Sequence, residues 1–181
     1  LDDGQCCRYD KLVLATGAFP RRLDDTGNLE NVFVLRHAKN AHELRAAMKG
    51  RQNAVVIGGG YIGLEVAASL TKAGMHVDVI EMADRLLARV ASPAISAFFA
   101  NLHKNNDVGI HTGAINQEIL QKDGVFSGIQ LNDDRVIDAE LLLVGIGVLP
   151  DLSVAADAGL NTGDGIIVDG MMQSSVADIY A

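Results

Sequence analysis

Gly58, Gly60, Gly63 and Glu81 are the residues whose types and spacing point most directly to chemistry. An aliphatic run, Ala54, Val55, Val56 and Ile57, meets the cluster Gly58, Gly59, Gly60, Tyr61, Ile62, Gly63, and a helical pattern then continues to Ala73. A second aliphatic run over residues 77–80 ends on Glu81, so the order strand, glycine turn, helix, strand, acid is that of a dinucleotide-binding βαβ unit. The glycines act separately. Gly58 permits the tight turn, Gly60 lets a pyrophosphate approach bare backbone, and Gly63 lets helix and strand pack closely. The helix start then faces the phosphates with unpaired N–H groups and the positive end of its dipole. Glu81 follows Gly60 by 21 residues, which sets a carboxylate at the tip of the second strand to accept the ribose hydroxyls of an adenosine half. That acid favours NAD over NADP, since a 2′-phosphate would need a cation there and the next residue is Met82; Arg85 and Arg89 follow within reach of a phosphate.

The rest of the chain must build a sheet to hold this turn. Its 181 residues suffice for one substantial α/β domain burying on the order of 70% of the unfolded surface. They are 49% hydrophobic but only 4% aromatic, so the core is built from Val, Ile, Leu and Ala, as in a parallel sheet covered by helices. With 23 acidic and 15 basic residues the formal charge is −8 and no basic cluster interrupts it, which argues against nucleic acid as a partner. Adjacent Cys6 and Cys7 form neither a CxxC pair nor a spaced metal site, and read as reduced thiols on a strand. The five histidines give no metal pattern either. No 18-residue apolar stretch or basic-then-apolar leader occurs, so the expectation is a cytoplasmic protein without a membrane role. A start at Leu1 and an end at Ala181, directly after an apolar segment, suggest an excised fragment.

Along the chain, residues 7–14 read as a strand leading to the turn at Thr16 and Gly17 and a polar loop over residues 20–28. Asn40 and Glu43 make a capping-box start for a helix with Leu44, Ala47 and Met48 on one face, closed by Gly50. Ser92 and Pro93 are N-cap and first residue of a later helix, and the spacing of Ile95, Phe98, Phe99 and Leu102 predicts its core face. Short runs at 108–111, 114–120, 125–131 and 135–137, separated by Asp123-Gly124 and Asn132-Asp133, predict a β-meander. The continuously apolar Leu141, Leu142, Leu143, Val144 predicts a buried parallel strand ending in Gly145, Ile146, Gly147, where Gly147 offers a second close approach for a cofactor.

With those pieces in place, the chain resembles the FAD- and NAD-dependent pyridine nucleotide oxidoreductases. The match is carried by YDKLVLATG at residues 9–17, GGGYIGLE at 58–65 and VGIGVLPD at 144–151, with SSVADIYA at 174–181 similar to the lead-in to the family's last FAD motif. Segments 35–48 and 80–93 look most like the ferredoxin reductases that serve bacterial oxygenases. The resemblance implies a Rossmann-like α/β fold with an inserted meander, in which residues 36–148 form an NAD-binding domain and residues 1–35 and 149–181 are remnants of an FAD-binding domain. It further implies hydride transfer from NADH to FAD and onward transfer of single electrons to a ferredoxin-type iron–sulfur protein, with the flavin supplying the redox chemistry.

Carried over residue by residue, Gly58, Gly60 and Gly63 line the pyrophosphate, with Tyr61 and Ile62 at the helix start and Ile62 covering it. Glu65 resembles the acid beside the nicotinamide carboxamide, and its place in an apolar helix argues that the carboxylate has a partner. Glu81 matches the ribose acid, Arg89 an adenosine-side contact, Gly147 a nicotinamide-side contact, and Thr16 and Gly17 a flavin-side turn. Asp151 stands where the family commonly has asparagine. The motif for the FAD pyrophosphate and the final glycine–aspartate pair are missing from these residues, so the isolated chain is expected to hold NAD(H), to lack tight FAD and to be inactive. Apolar surface left by the remnants would favour a homodimer. Two other readings are a stand-alone NAD-binding or sensing module and an NADH oxidase-type flavoenzyme. A methyltransferase reading is opposed by the meander and the Gly-Ile-Gly strand end.

Overall fold

A computed structural model describes residues 4–27 and 29–181. Leu1, Asp2 and Asp3 of the expected N-terminal segment, and Asn28 at the end of the polar loop, lie outside the described residues. In chain order the elements are β1 (Leu12–Val13), β2 (Ala18–Pro20), a 3-10 turn at Asp24–Thr26, β3 (Val32–Phe33), α1 (Ala38–Ala47), β4 (Asn53–Ile57), α2 (Tyr61–Lys72) and β5 (His76–Glu81). Then follow α3 (Pro93–Lys104), β6 (Val108–Thr112), β7 (Asn116–Lys122), β8 (Val125–Leu131), β9 (Val136–Asp138), β10 (Leu141–Val144), β11 (Val148–Pro150), α4 (Ser153–Asp157) and β12 (Ile179–Tyr180). They fall into two compact units, one of residues 1–19 and 148–181, the other of residues 20–147. Residues 20–35, which the resemblance groups with the flavin-side segment, belong to the second unit and give it β3.

The second unit is a Rossmann-like parallel sheet in the order β3, β10, β4, β5, β6. Alternation along its strands builds two cores. Ala54, Val56, Val77, Val79, Leu141 and Leu143 face the helices and meet Leu44, Leu64, Ala67 and Leu70. Val55, Ile57, Ile80, Leu142 and Val144 face the other way and meet Phe126, Ile129 and Leu131 of the antiparallel sheet β7-β8-β9. Buried on both faces, β10 is apolar at all four positions, and each such side chain contributes about 1.5–3 kcal/mol.

Three elements differ from what the sequence predicts. The run at 108–111 is not part of the meander: as β6 it pairs parallel with β5 at the sheet edge, so the meander has three strands. The first of its turns uses positive φ at both Asp123 and Gly124, as a type I′ hairpin requires. The strand expected over 7–14 shrinks to Leu12–Val13, and Cys6 and Cys7 are exposed, unpaired thiols outside it. Helix α1 begins three residues earlier than expected, because His37 is the N-cap and Asn40 sits at the third helical position, its Oδ1 accepting the His37 N–H at 3.0 Å.

The face of α3 is also different. Ser92 caps the helix and Pro93 begins it, as the sequence indicates. Yet Ile95, Phe98 and Leu102 are exposed, and the sheet side carries Ser96, Phe99, Ala100 and His103. Burial holds the His103 imidazole below its ordinary value of 6.5. Between the folded and unfolded values the unfolded chain binds more protons, so stability falls as pH drops through about 6.5 and levels off below the folded value. Urea midpoints at pH 7.5 and 5.5 are expected to show a smaller acid loss in His103→Gln than in wild type.

The first unit is smaller. β1 runs parallel to β12 over Leu12–Ile179 and Val13–Tyr180, and β2 pairs with β11. Ala155, Leu160 and Ile179 form its core, with Leu12, Leu14 and Ile166 packed against it.

Candidate functional site

β4 and β10 end side by side, Ile57 in register with Val144, and the chain turns away from each on glycine. Gly58 has φ +109°, a conformation that side chains resist, and a Cβ there would stand 2.3 Å from the Gly145 carbonyl oxygen. A Cβ on Gly63, in the first turn of α2, would stand 1.9 Å from the Gly58 oxygen. These two glycines therefore let α2 start directly over the strand ends. Gly60 differs from both: no atom lies within 4 Å of where its Cβ would be, so its backbone borders open space at the helix start. Bare backbone facing open space, with the unpaired first N–H groups of a helix behind it, is an arrangement that suits an anion.

Glu81 closes the turn from the side. Its Oε2 accepts the Gly59 N–H at 2.7 Å and its Oε1 accepts the Ala83 N–H at 2.8 Å. Sequence reasoning overlooked Gly59, which is buried, with a Cβ there only 2.5 Å from Leu86 Cδ2 and 3.1 Å from Glu81 Oε2. The carboxylate thus fixes the glycine loop as well as the strand tip, and keeps lone pairs for hydroxyl donors.

Arg85 is not available to a phosphate. Its Nη1 donates to Ala91 O at 2.8 Å and Ser96 Oγ at 2.7 Å, and its Nη2 donates to Ala88 O at 2.8 Å. Buried Ser96 in turn donates to Leu86 O at 2.6 Å. This arginine shapes the segment between Glu81 and α3. Arg85→Ala is expected to cost about 2 kcal/mol, the range for hydrogen bonds to a charged group, seen as a lower urea midpoint at constant slope.

Of the other expected residues, Tyr61 and Ile62 begin α2 and are exposed. Glu65 is exposed too, so burial does not oblige its carboxylate to find a partner. Arg89 and Gly147, which the resemblance assigns to opposite halves of a nucleotide, lie together: Arg89 Nη2 is 3.8 Å from the Cβ position of Gly147. Thr16 and Gly17 are in the other unit, where Thr16 Oγ1 donates to Asp151 O at 2.6 Å and Asp151 N–H donates to Gly17 O at 3.0 Å. The Ser153 hydroxyl and N–H bonded to Asp151 hold its carboxyl below the ordinary range.

Two further polar groupings lie elsewhere. His111 Nε2 is 2.7 Å from Asp78 Oδ1, and Arg135 Nη1 is 3.3 Å from His111 Nδ1. Arginine only donates, so Nδ1 accepts and Nε2 carries the proton to Asp78, tying the sheet edge to the meander. A cavity of about 330 Å³ bordered by Asn31, Arg51, Asn53 and Glu140 opens at the amino ends of β4 and β10. Arg51 there donates to Asn31 Oδ1 at 2.7 Å, and ligands of parallel sheets gather at the opposite, carboxyl ends. Among the described residues no three His, Cys, Asp or Glu side chains are grouped to hold a metal, and no helix is long and apolar enough to cross a membrane.

The parallel sheet, the glycine turn at its carboxyl edge and the acid on the neighbouring strand define a Rossmann-like α/β protein of the FAD/NAD-binding class. The chain belongs to the pyridine nucleotide-disulphide oxidoreductase family, which it matches over residues 1–181. It is 40% identical over 182 residues to rhodocoxin reductase of Rhodococcus erythropolis, covering 100% of this chain and 43% of that protein. Putidaredoxin reductase CamA of Pseudomonas putida is 39% identical over 181 residues, covering 97% of this chain and 43% of that one. The crystal structure of the ferredoxin reductase for the CYP199A2 system from Rhodopseudomonas palustris superposes with a TM-score of 0.92 at 40% identity, over 98% of this chain and 44% of that one. The chain therefore spans less than half the length of these relatives.

Proposed function

We propose that this chain is the NADH-binding part of a flavoprotein oxidoreductase that passes hydride from NADH to FAD and electrons on to a ferredoxin-type iron–sulfur acceptor. The unit of residues 20–147 takes NAD(H), and the segments 1–19 and 148–181 serve the flavin side. The observation that carries the reading is the turn itself: Gly60 borders open space at the start of α2, with the Glu81 carboxylate clasping Gly59 beside it. The relatives' names, a putidaredoxin reductase and a rhodocoxin reductase, supply the class of acceptor.

In this reading the chain's own residues bind and orient. The first N–H groups of α2 and the bare backbone of Gly60 receive the diphosphate, and Glu81 accepts the adenosine ribose hydroxyls. Exposed Glu65, one turn along α2, is placed to accept from the nicotinamide carboxamide, which would fix which face of the ring is presented. FAD, when bound, supplies the two-electron to one-electron conversion.

Titration with NADH and NADPH tests the cofactor. NADH is expected to bind more tightly, since the residue after Glu81 is exposed, uncharged Met82 and Arg85 is engaged elsewhere. Binding of neither nucleotide, or a preference for NADPH, overturns it. Reduction of an iron–sulfur acceptor by NADH in the presence of FAD tests the electron path.

A further inference from the structure

Arg21 lies outside every motif that identified the nucleotide site, yet the fold brings it there. Its N–H donates to Gly147 O at 2.9 Å, and its Cδ is 3.9 Å from the point where a Cβ on Gly147 would stand. Arg89 Nη2 is 3.8 Å from the same point. The Arg89 guanidinium and the side-chain stem of Arg21, from distant parts of the sequence, thus both border one glycine, whose φ of +109° disfavours a side chain there. Both arginines are exposed, and neither guanidinium has a hydrogen-bond or ion-pair partner among the described residues.

This is unexpected in a chain of net charge −8, which has acids enough to pair them. An anion beside Gly147 would be within reach of both guanidinium groups and would give each a charged acceptor. The Gly145 backbone that leads into this pair is the one Gly58 approaches most closely, so the pair adjoins the glycine turn. A dinucleotide seated on that turn carries its strongest anionic group, the diphosphate, beside the pair.

We infer that Arg21 and Arg89 form a two-arginine clamp for the diphosphate bridge of the bound dinucleotide, on the side opposite the start of α2, with Arg21 a binding residue in its own right. This rests on the proposed binding of NAD(H). Both positions are at the surface, so substitution leaves the cores intact.

The test is isothermal titration of the protein with NADH and, separately, with inorganic pyrophosphate, at low and at physiological salt. Arg21→Gln and Arg89→Gln are each expected to weaken NADH about tenfold or more, and to flatten its salt dependence, while Arg21→Lys recovers part of the affinity. The double variant is expected to lose less than the product of the two, because the arginines share one anion. Unchanged NADH affinity and salt dependence in Arg21→Gln would overturn the clamp while leaving the cofactor reading standing. Wild type that fails to bind NADH but binds pyrophosphate through Arg21 would instead overturn the cofactor reading and keep the anion site; binding of neither overturns both.

Discussion

Gly63→Ala is expected to destabilise the protein by about 3 kcal/mol, lowering the melting temperature by about 10 °C for a chain of this size. Two effects oppose each other at this position. Alanine inside a helix gains about 1 kcal/mol over glycine from propensity alone. The added Cβ, however, would lie 1.9 Å from the Gly58 oxygen and 3.3 Å from Val56 Cγ1. The near neighbour is backbone, in a turn already fixed by the Gly58 N–H to Ile80 O bond at 2.8 Å, so no side chain can swing away. Relief requires α2 to lift from β4, which opens the packing of Leu64, Ala67 and Leu70 against the sheet. The clash wins over propensity. Gly60→Ala provides the contrast, since its φ of −83° and ψ of −176° suit any residue and its Cβ would meet nothing. It is expected to melt with wild type within about 1 °C and yet to bind NADH poorly, because the methyl enters the space that the proposed function gives to the diphosphate. Thermal melts of the two variants beside an NADH titration separate the packing glycine from the ligand glycine. A Gly63→Ala variant that melts with wild type would show that the close contact between α2 and the turn is dispensable.

What could be read from the sequence divides along the range of the interactions involved. The glycine turn and Glu81 were legible because the spacing from Gly60 to Glu81 encodes a complete local unit, one helix flanked by two strands. β10 was legible because four consecutive apolar residues suit a strand buried on both faces. The α3 face was not. Its apolar residues outnumber the positions that face the sheet, so periodicity favours the wrong stripe and hides the buried Ser96 and His103. β6 is ambiguous for a similar reason, since a half-buried edge strand looks the same whether its partner is parallel or antiparallel. The engagement of Arg85 with Ser96 was invisible because charge alone does not tell whether a guanidinium reaches outward or folds back onto carbonyls. The convergence of Arg21, Arg89 and Gly147 depends on chain crossings that only the folded sheet makes.

Glu81→Ala is expected to weaken NADH about ten- to a hundredfold, the value of roughly 1.5–3 kcal/mol in hydrogen bonds to a charged acceptor. In the proposed function the carboxylate has a ligand role besides its observed clasp of the loop, and Glu81→Gln distinguishes them. Both of its oxygens face backbone N–H donors, Gly59 at 2.7 Å and Ala83 at 2.8 Å. An amide offers one oxygen and one NH2 group, so one backbone donor would confront another donor and lose its partner. The amide can turn its oxygen to only one of them, so the loss falls either on buried Gly59, beside Leu86, or on half-buried Ala83. Glu81→Gln is therefore expected to be no better than alanine in stability or in NADH affinity, despite its similar shape. If glutamine instead restored wild-type binding, neither the charge nor the double clasp would matter. The effect on NADPH follows from Arg85. Removing the acid eliminates repulsion of a 2′-phosphate, but Arg85 remains bonded to Ala88, Ala91 and Ser96 and supplies no replacement cation. The ratio of NADH to NADPH affinity is expected to fall because NADH is lost rather than because NADPH is gained, and parallel titrations of both nucleotides measure the two changes separately.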